Sequence, residues 1–302
     1  MTQGNICVSF SGGRSSAVMT KILYDNRESI IGDLAISFVN VGCEHEATLK
    51  FVHGCQTHFG WPVVWLEPVF SPVLGEGVRH KVVTYETASR NGEPFEAYIA
   101  KHGIPGPTNP NCTNYLKEEC MNAYRRDALG WKRKDYWTAI GIRSDEIDRM
   151  SPKADEKRLF YPLIKGGYTK QAVAAEIAKW PFDLEIPNDA HGNCVWCWKK
   201  SLRKLITVAQ QSPEAFDFPL RMEKKYARHR QEDGQEDRRF FRKRMLASDI
   251  LRLSKDQAAL QVMNFYPHED DKQLSIFDLI GYNSILDEGG GCGDSCEIGS
   301  DY

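Results

Sequence analysis

The chain has 302 residues, 41% hydrophobic and 11% aromatic, which supports a packed core in one large or two modest domains and excludes wholesale disorder. Its formal net charge of −2 supplies no global positive field for nucleic acid. No apolar run reaches the length of a membrane span, and the opening Met-Thr-Gln-Gly-Asn-Ile-Cys lacks the regions of a signal peptide, so a cytoplasmic protein without membrane contact is expected.

Strands and helices alternate from the start. Residues 6–10 read as a buried strand, and 15–25 as a helix with Ala17, Val18, Ile22 and Leu23 on one side. Residues 34–40 predict a second strand, 45–59 a second helix and 63–67 a third strand. A helix over 113–129 and a strand over 136–142 follow. This βαβ rhythm predicts an α/β fold: a doubly wound, mostly parallel sheet with helices on both faces. Residues 69–111 interrupt the rhythm with Gly and Pro, as a long insertion that covers an active site or lies on the surface. Past residue 180 the chain becomes Pro/Gly-punctuated, with a helix near 199–211 and a highly charged helical stretch over 213–263. The expected organisation is a nucleotide-binding α/β domain over 1–180, a smaller helical part over 181–265 and a flexible Cys-containing tail over 266–302.

The first strand runs through Ser11-Gly12-Gly13-Arg14-Ser15-Ser16 directly into the first helix. Such a turn aims several backbone N–H groups and the positive end of a helix dipole at one point, a site for phosphate. Gly12 and Gly13 allow close approach; Ser11, Ser15 and Ser16 add hydroxyls and Arg14 a charge. The Gly-x4-Gly-Lys-Ser/Thr pattern is absent, which excludes a P-loop NTPase, and the lack of Gly-x-Gly-x-x-Gly disfavours a dinucleotide enzyme. The plain alternative is an ordinary helix N-cap at Ser15 or Ser16.

Asn40 and Glu44 fall just past the second strand, and Arg143 follows the strand ending at Gly141-Ile142. All stand at the carboxyl edge, where open α/β sheets bind ligands. Arg143 is suited to clamping phosphate or sulfate, with Arg149 a turn or two onward. Surface ion pairs with Asp145 or Glu146 are the alternative.

Nine cysteines in a reducing compartment argue for cofactor ligands, redox thiols or core residues rather than disulfides. Cys194-Val195-Trp196-Cys197 puts two thiolates within reach of one metal centre. Cys7, Cys55 and Cys120 read as core residues and Cys43 as structural. Cys292 and Cys296 sit among Gly and acids in the tail. In the charged stretch, Arg238, Arg239, Arg242, Lys243 and Arg244 surround Phe240 and Phe241, a pattern that fits either single-stranded nucleic acid or a solvated helix with two core aromatics.

"SFSGGRSSA" resembles the PP-loop, Ser-Gly-Gly-x-Asp-Ser, of the adenine-nucleotide α-hydrolase superfamily, which includes N-type ATP pyrophosphatases and the phosphoadenosine phosphosulfate (PAPS) reductase family. "FVNVGCEHEATLKFV" resembles that family's second strand, "CTNYLK" its Cys-x4-Lys segment with Lys117, and "AIGIRSDEIDR" its Gly-Ile-Arg-x-x-Glu-x-x-Arg segment. These matches are ordered over roughly residues 5 to 200. The resemblance implies adenine-nucleotide binding (ATP, APS or PAPS, with magnesium a further ion) at Ser11, Gly12, Gly13, Arg14, Ser15, Ser16, Asn40, Glu44, Lys117 and Arg149. It implies Arg143 in catalysis, beside a metal centre held by Cys112, Cys194 and Cys197. Where the reductases carry a Cys-Cys pair this chain has Cys112-Thr113, so three thiolates are implied. A [4Fe-4S] cluster is favoured, with zinc the rival. Cys292 or Cys296 would act as tail nucleophile. The implied activity is release or transfer of sulfur, with a thiol reductant protein as a partner. ATP-dependent thiolation of tRNA or DNA and a nucleotide-binding regulator with structural zinc are the alternatives. Ser15 stands where the family has its PP-loop aspartate, a departure that weakens standard ATP α–β cleavage.

Overall fold

The computed structural model describes residues 4–73, 75–229, 234, 236–241 and 245–256. Strand β1 (Asn5–Ser9) leads through the Gly-Ser turn into helix α1 (Arg14–Asp25). Strand β2 (Leu34–Val39), helix α2 (Glu46–Phe59) and strand β3 (Val63–Phe70) follow. Alternation decides the layers. Ile6, Val8, Ile36, Phe38 and Trp65 pack on one face with Val18 of α1 and Leu49 and Val52 of α2. Val39 and Leu66 point to the other face. Each such buried side chain contributes roughly 1.5–3 kcal/mol. His45 caps α2, its Nδ1 accepting from the Ala47 N–H at 3.1 Å, and Gly60 ends the helix at φ 66°.

The Gly- and Pro-rich span over 69–111 contains two regular elements. Strand β4 (Val78–Val83) pairs antiparallel with β3, and helix α3 (Glu93–His102) packs onto the second face through Phe95, Tyr98 and Ile99. The expected helix over 113–129 is two pieces, a π-helical turn Asn114–Glu118 and helix α4 (Glu119–Asp127). On α4 the buried Arg125 donates from Nε to Cys7 Sγ at 2.9 Å and from Nη1 to Tyr136 Oη at 3.4 Å, which locks the helix against β1 and keeps Cys7 in the core.

Strand β5 (Tyr136–Ala139) is shorter than expected, and strand β6 (Leu159–Phe160) extends the sheet. Helices α5 (Pro162–Lys165) and α6 (Lys170–Ile177) place Leu163, Val173 and Ile177 on the first face. Helices α7 (Leu202–Gln211), α8 (Asp217–Tyr226) and α9 (Ala247–Leu253) complete the second layer. The protein is thus α/β, with a six-stranded sheet of order β4-β3-β2-β1-β5-β6 in which every pairing except β3–β4 is parallel. The order runs outward in one direction from β1 to β4 and in the other from β5 to β6. The crevice between the carboxyl ends of β1 and β5 is where such a sheet leaves room for a ligand. Among the described residues no helix is long and apolar enough to cross a membrane.

Candidate functional site

A cavity of about 290 Å³ opens at that crevice. Residues 11–16, Thr48 and Arg143 line it, with Lys170, Val173, Ala174, Ile177 and Ala178 from the α6 region and a wall from the 183–193 segment. Residues on both sides of position 180 therefore build one site.

The turn's shape follows from its residues. Gly12 sits at φ 80°, and a Cβ there would lie 2.7 Å from Thr48 Cγ2 and 3.0 Å from Val52 Cγ2, so only glycine fits. Gly13 is the N-cap of α1 and makes no side-chain cap, so no side chain of its own covers the first N–H groups of the helix. The three serines divide the work. Ser16 is buried and its hydroxyl turns inward, donating to Gly13 O at 2.9 Å and accepting from the Ser11 N–H at 3.2 Å. The Ser11 and Ser16 hydroxyls pair at 2.9 Å. Ser16 staples the turn, while Ser15 is the hydroxyl that meets the guanidinium: Arg143 Nη1 donates to Ser15 Oγ at 3.2 Å.

Arg143 is 8% exposed and is brought to the turn by β5. Its Nε donates to Asp145 Oδ1 at 3.1 Å, and its Nη2 stands 3.4 Å from Glu146 Oε2. The guanidinium holds the Asp145 carboxyl below the usual carboxylate range against the opposing effect of desolvation. Arg149 pairs with Glu146 and lies outside the cavity lining. Arg14 lines the cavity, but its side chain reaches across it: Nε and Nη2 donate to the Asp183 carboxylate at 2.7 and 3.0 Å, and Nη2 also to Leu184 O at 2.7 Å. Lys170 pairs with Asp189 at 2.9 Å.

Asn40 and Glu44 do not reach this cavity. Asn40 is buried; its amide donates to Glu67 Oε1 at 2.8 Å and Ser89 O at 2.9 Å, while its Oδ1 accepts from the Gly42 N–H at 3.0 Å. Its amide thus ties the turn after β2 to β3 and to the segment at residue 89. Glu44 accepts from the N–H groups of Val41 (3.1 Å) and Cys43 (3.2 Å), and its Oε1 lies 3.8 Å from Lys117 Nζ. That oxygen is buried and has no hydrogen-bond partner among the described residues. Burial raises the Glu44 pKa, against the pull of the Lys117 charge.

Glu44 and Lys117 belong to a second locality, built around the thiols. Glu44 pairs with Cys194 in an antiparallel bridge, and the Val195 N–H donates to Cys43 O at 3.1 Å. The 194–197 segment is a tight turn closed by the Cys197 N–H on Cys194 O at 3.0 Å. Beneath it the buried Lys200 donates to Ala190 O (2.6 Å), Cys194 O (2.9 Å) and Val195 O (2.7 Å). Trp196 stacks on Phe218 and meets Phe95 and Phe240 edge-on. Cys43, read as structural from the sequence, lies beside Cys194; burial first, then that neighbouring thiol, pushes its pKa well up. Cys112 is buried in the same apolar layer. Burial pushes the Cys120 thiol up to about 12 and Cys55 further, as expected of core thiols.

Among the described residues no group of three or more His, Cys, Asp or Glu side chains is placed to hold a metal ion. Cys112 is buried, Cys197 is buried and Cys194 is half-buried, all near the bridge between the segment past β2 and the 194–197 turn. Cys292 and Cys296 lie outside the described residues, as do Arg242, Lys243 and Arg244. Phe240 and Phe241 are core residues, so they offer no stacking surface.

No family model matches the chain. An uncharacterized nin region protein, ORF290, of Escherichia phage lambda is 33% identical over 201 residues, which span 66% of this chain and 67% of that protein.

Proposed function

From a chain that belongs to the same family as the phage lambda nin region protein ORF290, we propose a nucleotide-binding enzyme that uses the 11–16 turn to hold the phosphates of an adenine nucleotide. The observation that carries this reading is the meeting of the uncapped start of α1 with Arg143 at the crevice where the strand order reverses. Backbone N–H groups, the Ser15 hydroxyl and a guanidinium there suit an anion whose charge grows during reaction. The fold would be doubly wound in the manner of the adenine-nucleotide α-hydrolases, and the activity that of a PAPS-reductase-like sulfur enzyme. The thiol turn supports the sulfur half of the reading by its position: Gly192 and Asn193 line the cavity, and Cys194 follows directly. The resemblance would add to this reading a thiolate-held metal centre at Cys112, Cys194 and Cys197.

The test is calorimetric titration with ATP and with PAPS. At least one should bind, and Arg143→Ala should weaken that binding about 100-fold, equivalent to about 2.7 kcal/mol. Failure of both nucleotides to bind the unaltered protein, or unchanged affinity in Arg143→Ala, would overturn the assignment.

A further inference from the structure

The resemblance implies Asn40 and Glu44 at the nucleotide, and in the structure both side chains are engaged by neighbouring groups past β2. Asn40 and Val41 are buried. The Asn40 amide is bound to Ser89 O, and a methyl group on Gly42 would come within 2.9 Å of the Gly92 nitrogen. The 88–94 segment thus packs closely over the end of β2.

The cavity beside the turn has the missing character. Its lining divides chemically. One part is the N–H-rich turn with Arg143. Much of the rest is apolar: Val173, Ala174 and Ile177 of α6, with Leu184 and Ile186. The carboxylates in that wall, Asp183 and Asp189, are each held by a cation. The Arg14 clamp on Asp183 and Leu184 O fixes the apolar wall directly to the start of α1, so the distance between anion site and wall is set by the turn itself. A volume of about 290 Å³ is at the small end for ligand pockets, roughly 300–1,000 Å³, and suits one mononucleotide.

We propose that the base of the bound nucleotide lies in the slot between α6 and the 184–186 segment, and not at the end of β2. The inference rests on the phosphate reading of the turn and adds where the ligand's apolar half goes. Burying a flat ring there removes apolar surface from water, so the base adds affinity beyond that of the phosphates.

Two measurements test it. ATP should bind at least tenfold tighter than inorganic pyrophosphate. Ala174→Trp, at an exposed helix position that tolerates bulk, should erase that advantage while leaving pyrophosphate affinity within twofold. Ala178→Trp serves as the second variant on the same exposed side of that segment if the first does not fold. An ATP advantage that survives the tryptophan, or pyrophosphate binding as tightly as ATP to the unaltered protein, would overturn the slot and leave the anion site standing. If ATP, PAPS and pyrophosphate all fail to bind the unaltered protein, the phosphate reading falls and the slot with it. Photolabelling with 8-azido-ATP should mark peptides within 170–193; a label confined to 37–47 would return the base to β2 and refute the inference.

Discussion

The 11–16 turn and the 194–197 turn adjoin at Gly192 and Asn193, and their shapes have different sources. The first is almost entirely local. A glycine at positive φ, an N-cap glycine and the Ser16 staple all lie within the same short run. Arg143, the Asp183 partner of Arg14, and Thr48 and Val52 beside Gly12 arrive from a distance. The second is held mainly by remote groups: Cys43 O and Glu44 from past β2 and an aromatic shell from α3 and α8, with Lys200 just ahead of α7 beneath it. Damage to the first should therefore show in binding, and damage to the second in stability.

The largest effect should come from Lys200→Met. Three buried carbonyls lose their donor, and unfolding in urea should show a loss of about 3 kcal/mol, with nucleotide affinity changing far less in the protein that remains folded. A stable Lys200→Met protein that has lost nucleotide binding would reverse the comparison.

Glu223 sharpens the same side. Its carboxylate accepts from the N–H groups of Phe240 (3.3 Å) and Ala247 (3.0 Å) in the layer under Trp196, and burial raises its pKa to about 7. Because the folded value lies above the unfolded one, the folded state binds the extra proton. Stability should fall as pH rises from about 4.5 to 7 and then level off. The difference in unfolding free energy between the unaltered protein and Glu223→Gln should shift by roughly 3 kcal/mol across that window. A difference that stays flat with pH would remove the linkage.

The smallest effect should be that of Arg14→Ala. Its guanidinium is already committed to Asp183 and Leu184 O, so ATP affinity should drop only about threefold, through a loosened wall, and well short of the Arg143→Ala loss. Equal losses in the two variants would mean that Arg14 leaves Asp183 to meet phosphate.

This contrast also explains what could be read in advance. The strand, turn and helix over 5–25 were legible because their determinants are contiguous, and Arg143 because it follows a strand that the alternating rhythm places next to β1. Asn40 stood at the right edge, but its partners Glu67 and Ser89 lie far along the chain, and the antiparallel return of β4 that brings Ser89 back was masked by the Gly and Pro around it. The alternation Val78, His80, Val82 was the available signal for that strand, and Thr169 ahead of an Ala-rich run was the signal for α6, whose Val173 and Ile177 line the slot. The closeness of Cys43 to Cys194 had no local signal, since it depends on a bridge between segments about 150 residues apart.

Lys200 has a further consequence, in how two parts of the molecule are joined. Its ammonium group gathers the carbonyls of Ala190, Cys194 and Val195, and Asp189, Gly192 and Asn193 beside them line the cavity. One side chain thereby couples the backbone of the thiol turn to the wall of the candidate nucleotide site, so that a shift in either is felt by the other.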